Sequence, residues 1–143
     1  MDRSAYLTSL IGRPWRADGE GPDAYSCYGL FRALQRELWD RDLPHVDVPP
    51  DASRRWMIEA MAAHDLRRAW QEIAMPPGLI TAPDGAGVLM ARADRAVHVG
   101  VLLGIERGII HADDRLGVVF ETPAQLKARG WGRLRFYLPA DQD

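Results

Sequence analysis

The chain holds a single cysteine, Cys27, so no intrachain disulfide can brace it. Lysine is nearly absent: Lys127 stands alone and arginine supplies the remaining positive charge. That bias reads as genomic composition and carries no mechanism. An excess of either sign of charge is also missing. A formal charge of -2 leaves no electrostatic footprint for nucleic acid as a partner. No apolar run is long enough to span a bilayer, so no membrane partner is expected. The N-terminus lacks a positive segment followed by a long apolar one, so no secretory signal is expected. The expected place of synthesis is therefore the cytoplasm. There is no internal repeat and no low-complexity tract. A length of 143 residues predicts one domain, 1–143, large enough for a proper core.

What is present is organised around Cys27. After Ser26 the apolar positions run Cys27, Leu30, Phe31, Leu34 and Leu38. This is one face of an amphipathic helix, predicted from Cys27 to about Asp40. Ser26 is the expected N-cap, its hydroxyl accepting from a first-turn amide. Cys27 then lies in the first turn, where unpaired N–H groups and the helix dipole favour an anion. Such a setting lowers a thiol pKa and populates the nucleophilic thiolate. The same position also suits a small buried core residue, which free cysteine often is.

A nucleophilic thiol needs a base. Two histidines lie far downstream, in Val97-His-Val-Gly-Val-Leu-Leu-Gly and in Gly108-Ile-Ile-His-Ala. Cysteine first and histidine much later is the order expected of a pair adjacent only in space. With these residues in view the sequence resembles the NlpC/P60 family of papain-like cysteine peptidases, in the short form found in phage tail modules and gene transfer agents. The likeness is carried by Gly12-Arg-Pro-Trp-Arg through Cys27-Tyr-Gly-Leu, by His98-Val-Gly-Val-Leu-Leu-Gly, and by Ile110-His111-Ala. With the tail Arg129-Gly-Trp-Gly-Arg-Leu-Arg-Phe-Tyr it spans nearly the whole chain.

Elsewhere the reading is conventional. Residues 2–11 predict a short helix with Tyr6, Leu7, Leu10 and Ile11 on one side. A Gly/Pro-rich loop follows and is expected to wall a cleft beside the nucleophile. Residues 41–50 are broken by three prolines, and His45 there is expected simply to be exposed. A second helix is predicted over 53–66, with Trp56, Met57, Ala60 and Met61 as core and His64 near its end. Residues 69–74 suit either a short strand or a helix remnant. From Gly87 onward β-runs follow at 88–91, 97–103, 108–111, 118–121 and 134–138, with a short helix at 123–129. Helices first and strands after is an α+β order. The resemblance implies a papain-like core, with the nucleophile helix packed on an antiparallel sheet of five or six strands.

In strand 97–103, His98, Gly100 and Leu102 alternate with Val99, Val101 and Leu103, so His98 faces away from the valines. The papain-like arrangement implies that the nucleophile helix packs on the His98 face. It also implies the roles: Cys27 nucleophile, His98 base, His111 orienting residue. The substrate it implies is the peptidoglycan stem peptide, at the γ-D-glutamyl–diamino acid bond. Phage-like tail-tip or hub proteins are the implied partners. No short metal-ligand spacing occurs, so neither a metal nor another cofactor is expected.

The chain also departs from the family pattern. Trp15 stands where the family has a tyrosine that helps bind the oxyanion or substrate. An indole can donate there but cannot accept. Ser26 replaces the usual aspartate, and Ala17 and Asp18 replace an aromatic and a glycine. Trp15, Ser26 and Asp18 are the substrate or oxyanion candidates. Three function classes follow: a cell-wall cysteine peptidase, a tail component that uses the fold for docking, and an acyltransferase or amidase with the same Cys and His.

Overall fold

The computed structural model describes residues 2–46, 70–92 and 95–140. The elements run α1 (Arg3–Leu10), α2 (Cys27–Trp39), β1 (Trp70–Ile73), β2 (Gly87–Arg92), β3 (Arg95–Leu103), β4 (Gly108–Asp113), β5 (Gly117–Glu121), α3 (Pro123–Ala128) and β6 (Arg133–Pro139). The α+β order of the sequence is thus the order of the fold. The helix predicted over 53–66, with Trp56, Met57, Ala60, Met61 and His64, lies outside the described residues.

The six strands form one sheet in the order β1–β6–β2–β3–β4–β5, every neighbouring pair antiparallel. The ambiguous stretch around 70–73 is a strand because β6 pairs with it, Trp70 lying opposite Pro139. That choice is made by a partner late in the chain, which local propensity does not see.

The α2 helix starts as its sequence requires. Ser26 Oγ accepts from the Gly29 amide at 2.9 Å, satisfying a first-turn donor. It ends at Asp40, which adopts the left-handed conformation with φ 52°. Its buried side, Cys27, Leu30, Phe31 and Leu34, packs on Val99, Val101, Leu103, Ile110, Ala112 and Val118. This corrects one expectation: α2 covers the valine face of β3, and the His98 face is the opposite one. The reason is apolar continuity. The valine face offers a continuous row of apolar side chains across three strands. The other face is interrupted near its end by His98, His111, Asp113 and Glu121. That face instead buries Val88, Met90, Leu102, Ile109 and Phe136 under Leu126 of α3 and Trp131. Fully burying each large apolar side chain contributes about 1.5–3 kcal/mol, so both layers are needed.

On α1, Leu7 and Leu10 are buried, while Ile11 is the C-cap and 46% exposed rather than part of the buried side. Arg3 clips this helix to the turns of the sheet, bonding Asp84 at 2.7 Å and Glu106 at 2.8 Å. No helix among the described residues is long and apolar enough to cross a membrane.

Candidate active site

The N-terminus of α2 meets β3 beside His98. The Cys27 thiol is 4% exposed. It accepts from the backbone amide of Val99, which belongs to the peptide joining His98 to Val99. The thiol and the His98 backbone therefore occupy one spot on β3. A β-bulge lies next to it: Met90 pairs with His98 but Ala91 pairs with Ala96. Bulges of this kind bend a strand and re-aim its side chains.

Burial pushes the Cys27 thiol up, outweighing the lowering by the amides of Val99, Tyr28 and Cys27 itself. The helix start alone would have lowered it, but dry surroundings win. The resting side chain is a neutral thiol at pH 7, and a base has to take its proton.

Beyond the last β3–β4 ladder pair, Val101 with Ile110, the strands are bridged by side chains. His98 Nε2 lies 2.8 Å from His111 Nδ1. His111 is fully buried, and its Nε2 lies 2.9 Å from Glu121 Oε1. Burial lowers the His111 pKa, against the raising pull of Glu121. Glu121 is held by Arg129, whose Nη2 and Nε reach its two oxygens at 2.6 and 2.8 Å. The same guanidinium reaches Asp113 Oδ2 at 3.0 Å. The Arg129 bonds are the largest influence on Glu121 and keep its pKa below the usual range. Trp131 closes the layer: it stacks on His98, with ring centroids 5.3 Å apart, and Arg92 covers it at 4.0 Å.

Glycine allows two close approaches here. A Cβ on Gly29 would strike the Gly19 carbonyl, which accepts from the Ser26 amide at 2.9 Å. A Cβ on Gly100 would lie 2.9 Å from Ile109 Cγ2 and 3.2 Å from His111 Cβ. Gly29 thus lets the leading loop sit on the α2 first turn, and Gly100 lets His111 approach β3.

A cleft of about 210 Å³ opens at the same helix end, lined by Asp18, Glu20, Ser26, Tyr28, Gly29, His45 and Val46. Asp18 and Glu20 come from the leading loop, which walls this cleft next to Ser26; Cys27 is not among its lining residues. His45 is exposed, as expected, and its Nδ1 lies 2.8 Å from Glu20 Oε1 on the cleft wall. Among the described residues no group of three or more His, Cys, Asp or Glu is arranged to hold a metal ion.

The structural comparison is specific about this architecture. The chain superposes on the crystal structure of the NlpC/p60 domain of the peptidoglycan hydrolase SagA, with a TM-score of 0.55 over 94% of this chain and 93% of that one. The fold is the NlpC/p60 fold. Identity is 18%, so the likeness speaks for fold alone. No protein-family profile matches the chain. No curated protein sequence matches it either.

Of the sequence candidates, the structure joins His98 to His111 directly and sets Cys27 against the His98–Val99 peptide. Ser26 and Asp18 line the cleft, Ser26 with its hydroxyl engaged as N-cap. Trp15 stands apart from that lining. It is half-buried against the α2 side of the core, and its backbone bridges to Tyr25. Sequence reasoning missed Glu121, Arg129, Asp113 and Trp131. Period-2 spacing puts His111, Asp113 and, across the ladder, Glu121 on one face, which was the available signal for the first carboxylates.

Proposed function

We propose that this protein is a peptidoglycan hydrolase, a cysteine endopeptidase acting on amide bonds of stem peptides. One observation carries the reading. Within an NlpC/p60 fold, the lone thiol at the α2 start stands against the strand segment that bears a histidine already paired to a second histidine.

In the proposed reaction His98 takes the thiol proton on Nδ1 as Cys27 Sγ attacks the amide carbonyl carbon. The carbonyl oxygen becomes an oxyanion, with the Cys27 backbone N–H as donor. The C–N bond then breaks, and the amine leaves with the proton from His98. Water, deprotonated by His98, hydrolyses the thioester to a carboxylate and returns the thiol. His111 orients the His98 ring throughout. Asp18 and Glu20 on the cleft wall are paired with Arg16 and with Arg32 and His45, so a substrate amine would have to share them. The γ-D-glutamyl–diamino acid bond is the one that the resemblance of the Cys27 and His98 stretches implies. The resemblance of the Cys27 and His98 stretches to the short tail-module form supports a role on a phage-like tail. There the protein would be made in the cytoplasm and carried to the wall with tail-tip or hub proteins.

The test is a digest of purified diaminopimelate-type peptidoglycan by wild type and Cys27→Ala, with products read by mass spectrometry. New stem-peptide fragments with wild type alone are expected, and their masses name the bond. Equal cleavage by Cys27→Ala would sink the proposal.

A further inference from the structure

The two histidines are the inner part of a longer chain of hydrogen bonds, and its outer end decides where their protons lie. Arg129 carries only donors, so both Glu121 oxygens face a donor and the carboxylate accepts. Glu121 Oε1 also faces His111 Nε2 at 2.9 Å, and that nitrogen has to donate. In a neutral imidazole the other nitrogen is then an acceptor, which is Nδ1 of His111. His98 Nε2 lies 2.8 Å from it and has to donate. The lone pair of His98 is thereby on Nδ1, the nitrogen to which the peptidase reading gives the thiol proton.

We propose that Glu121, anchored by Arg129, is a positioning residue that sets the tautomers of both histidines in series and so makes His98 Nδ1 the base. The inference rests on the peptidase reading for its catalytic consequence, but not for the tautomers themselves. The geometry is firmly built. His111 pairs with Val119 across the β4–β5 ladder, and Glu121 is two residues further along β5 on the same face. Asp113 fixes the far side of Arg129. Its Oδ1 accepts from the amides of Arg115 and Leu116 at 2.8 and 3.0 Å, leaving Oδ2 to the guanidinium. The charged and titratable groups facing His111 are Glu121, Asp113 and Arg129, with His98 on its other side. The alternative role for the Glu121–Arg129 pair is to tether the end of α3 and nothing more. That role would not reach the histidine protons.

Glu121→Gln separates the two. With its amide oxygen on Arg129 Nε, its NH₂ takes the Oε1 position, where it displaces Arg129 Nη2 and offers a donor to His111 Nε2. That reverses the whole series: protons move to Nδ1 of His111 and to Nδ1 of His98. The experiment is imidazole ¹⁵N spectroscopy on the full chain, with His98→Asn used to assign the resonances, alongside peptidoglycan turnover and thermal unfolding. Wild type is expected to show Nε2–H on both rings, and Glu121→Gln to show Nδ1–H on both. With this switch kcat should fall about 100-fold or more, the scale of a lost or mis-tautomerised base, while KM stays within about twofold. Glu121→Asp, which keeps an acceptor-only group, should restore the Nε2–H tautomers and part of kcat. A wild-type His98 carrying its proton on Nδ1 overturns the proposal. So does Glu121→Ala, which leaves His111 Nε2 no carboxylate to donate to, with both tautomers unchanged. If the tautomers switch but no form cleaves peptidoglycan, the relay stands and the peptidase reading fails.

Discussion

The rings of His98 and His111 meet edge to face, with centroids 4.8 Å apart and planes at 84°, and join through Nε2 and Nδ1. They come from neighbouring antiparallel strands, at positions where a hairpin returns one side chain beside the other. The contact needs His111 to offer an acceptor. Asparagine at 111 keeps one, through its side-chain oxygen, whereas leucine does not. We expect His111→Asn to retain peptidoglycan turnover within about tenfold and His111→Leu to lose about 100-fold or more. Both should bind substrate with similar KM, because the change lies in the base and not in the cleft. Steady-state kinetics on a defined stem peptide reads the difference.

Gly29 gives a stability prediction at the same helix. The Gly19 carbonyl occupies the space that a Cβ would need, and it is also bonded to the Ser26 amide. Gly29→Ala therefore has to push the leading loop off the helix start. Overpacking of this kind costs about 1–3 kcal/mol, more than the gain in helix propensity returns. Denaturant unfolding should show this loss, together with a higher KM from the displaced Asp18 and Glu20. An unchanged midpoint would mean that the loop does not rest on α2.

Acid stability tests the Arg129 cluster. Burial alone would raise the Asp113 carboxyl. The amides of Arg115 and Leu116, with Arg129, outweigh it and bring the carboxyl to about 2. An unfolded aspartate titrates near about 3.9. Because the folded value is the lower one, ionised Asp113 stabilises the fold fully above about pH 4, and the contribution is lost as pH falls toward about 2. Glu121 is shifted in the same direction. Unfolding free energy should fall over that window in wild type. Asp113→Asn should be less stable at pH 7 and show a shallower acid loss. Parallel curves for the two proteins would contradict the assignment.

Much of this architecture was legible in the residues, and the parts that were not share a cause. Helical spacing from Cys27 to Leu38, the Ser26 cap and the alternation of β3 are local properties, and each element stands where its pattern puts it. Alternation also separated His98 from the valines. It could not say which face α2 would cover, since that depends on Ile110, Ala112 and Val118 arriving from other strands. The dipole argument for Cys27 was local too. It missed the burial that raises the thiol, which is a property of the assembled core. The strand at 70–73 depends on β6, and the grip of Arg129 on Glu121 and Asp113 depends on α3 docking beneath the sheet. The Trp131 stack on His98 likewise follows from that docking. Sequence spacing announces none of these long-range choices.

The central claim is that Cys27 Sγ becomes acylated by the substrate. The measurement that reaches it most directly is intact-protein mass spectrometry after acid quench of a single turnover on a synthetic stem peptide. The account predicts a mass increase equal to the acyl half of the peptide, localised to Cys27 by peptide mapping, with the amine half released. It also predicts no adduct in Cys27→Ala. Cleavage of the peptide at an undiminished rate in Cys27→Ala, with no adduct on the wild-type thiol, would contradict it.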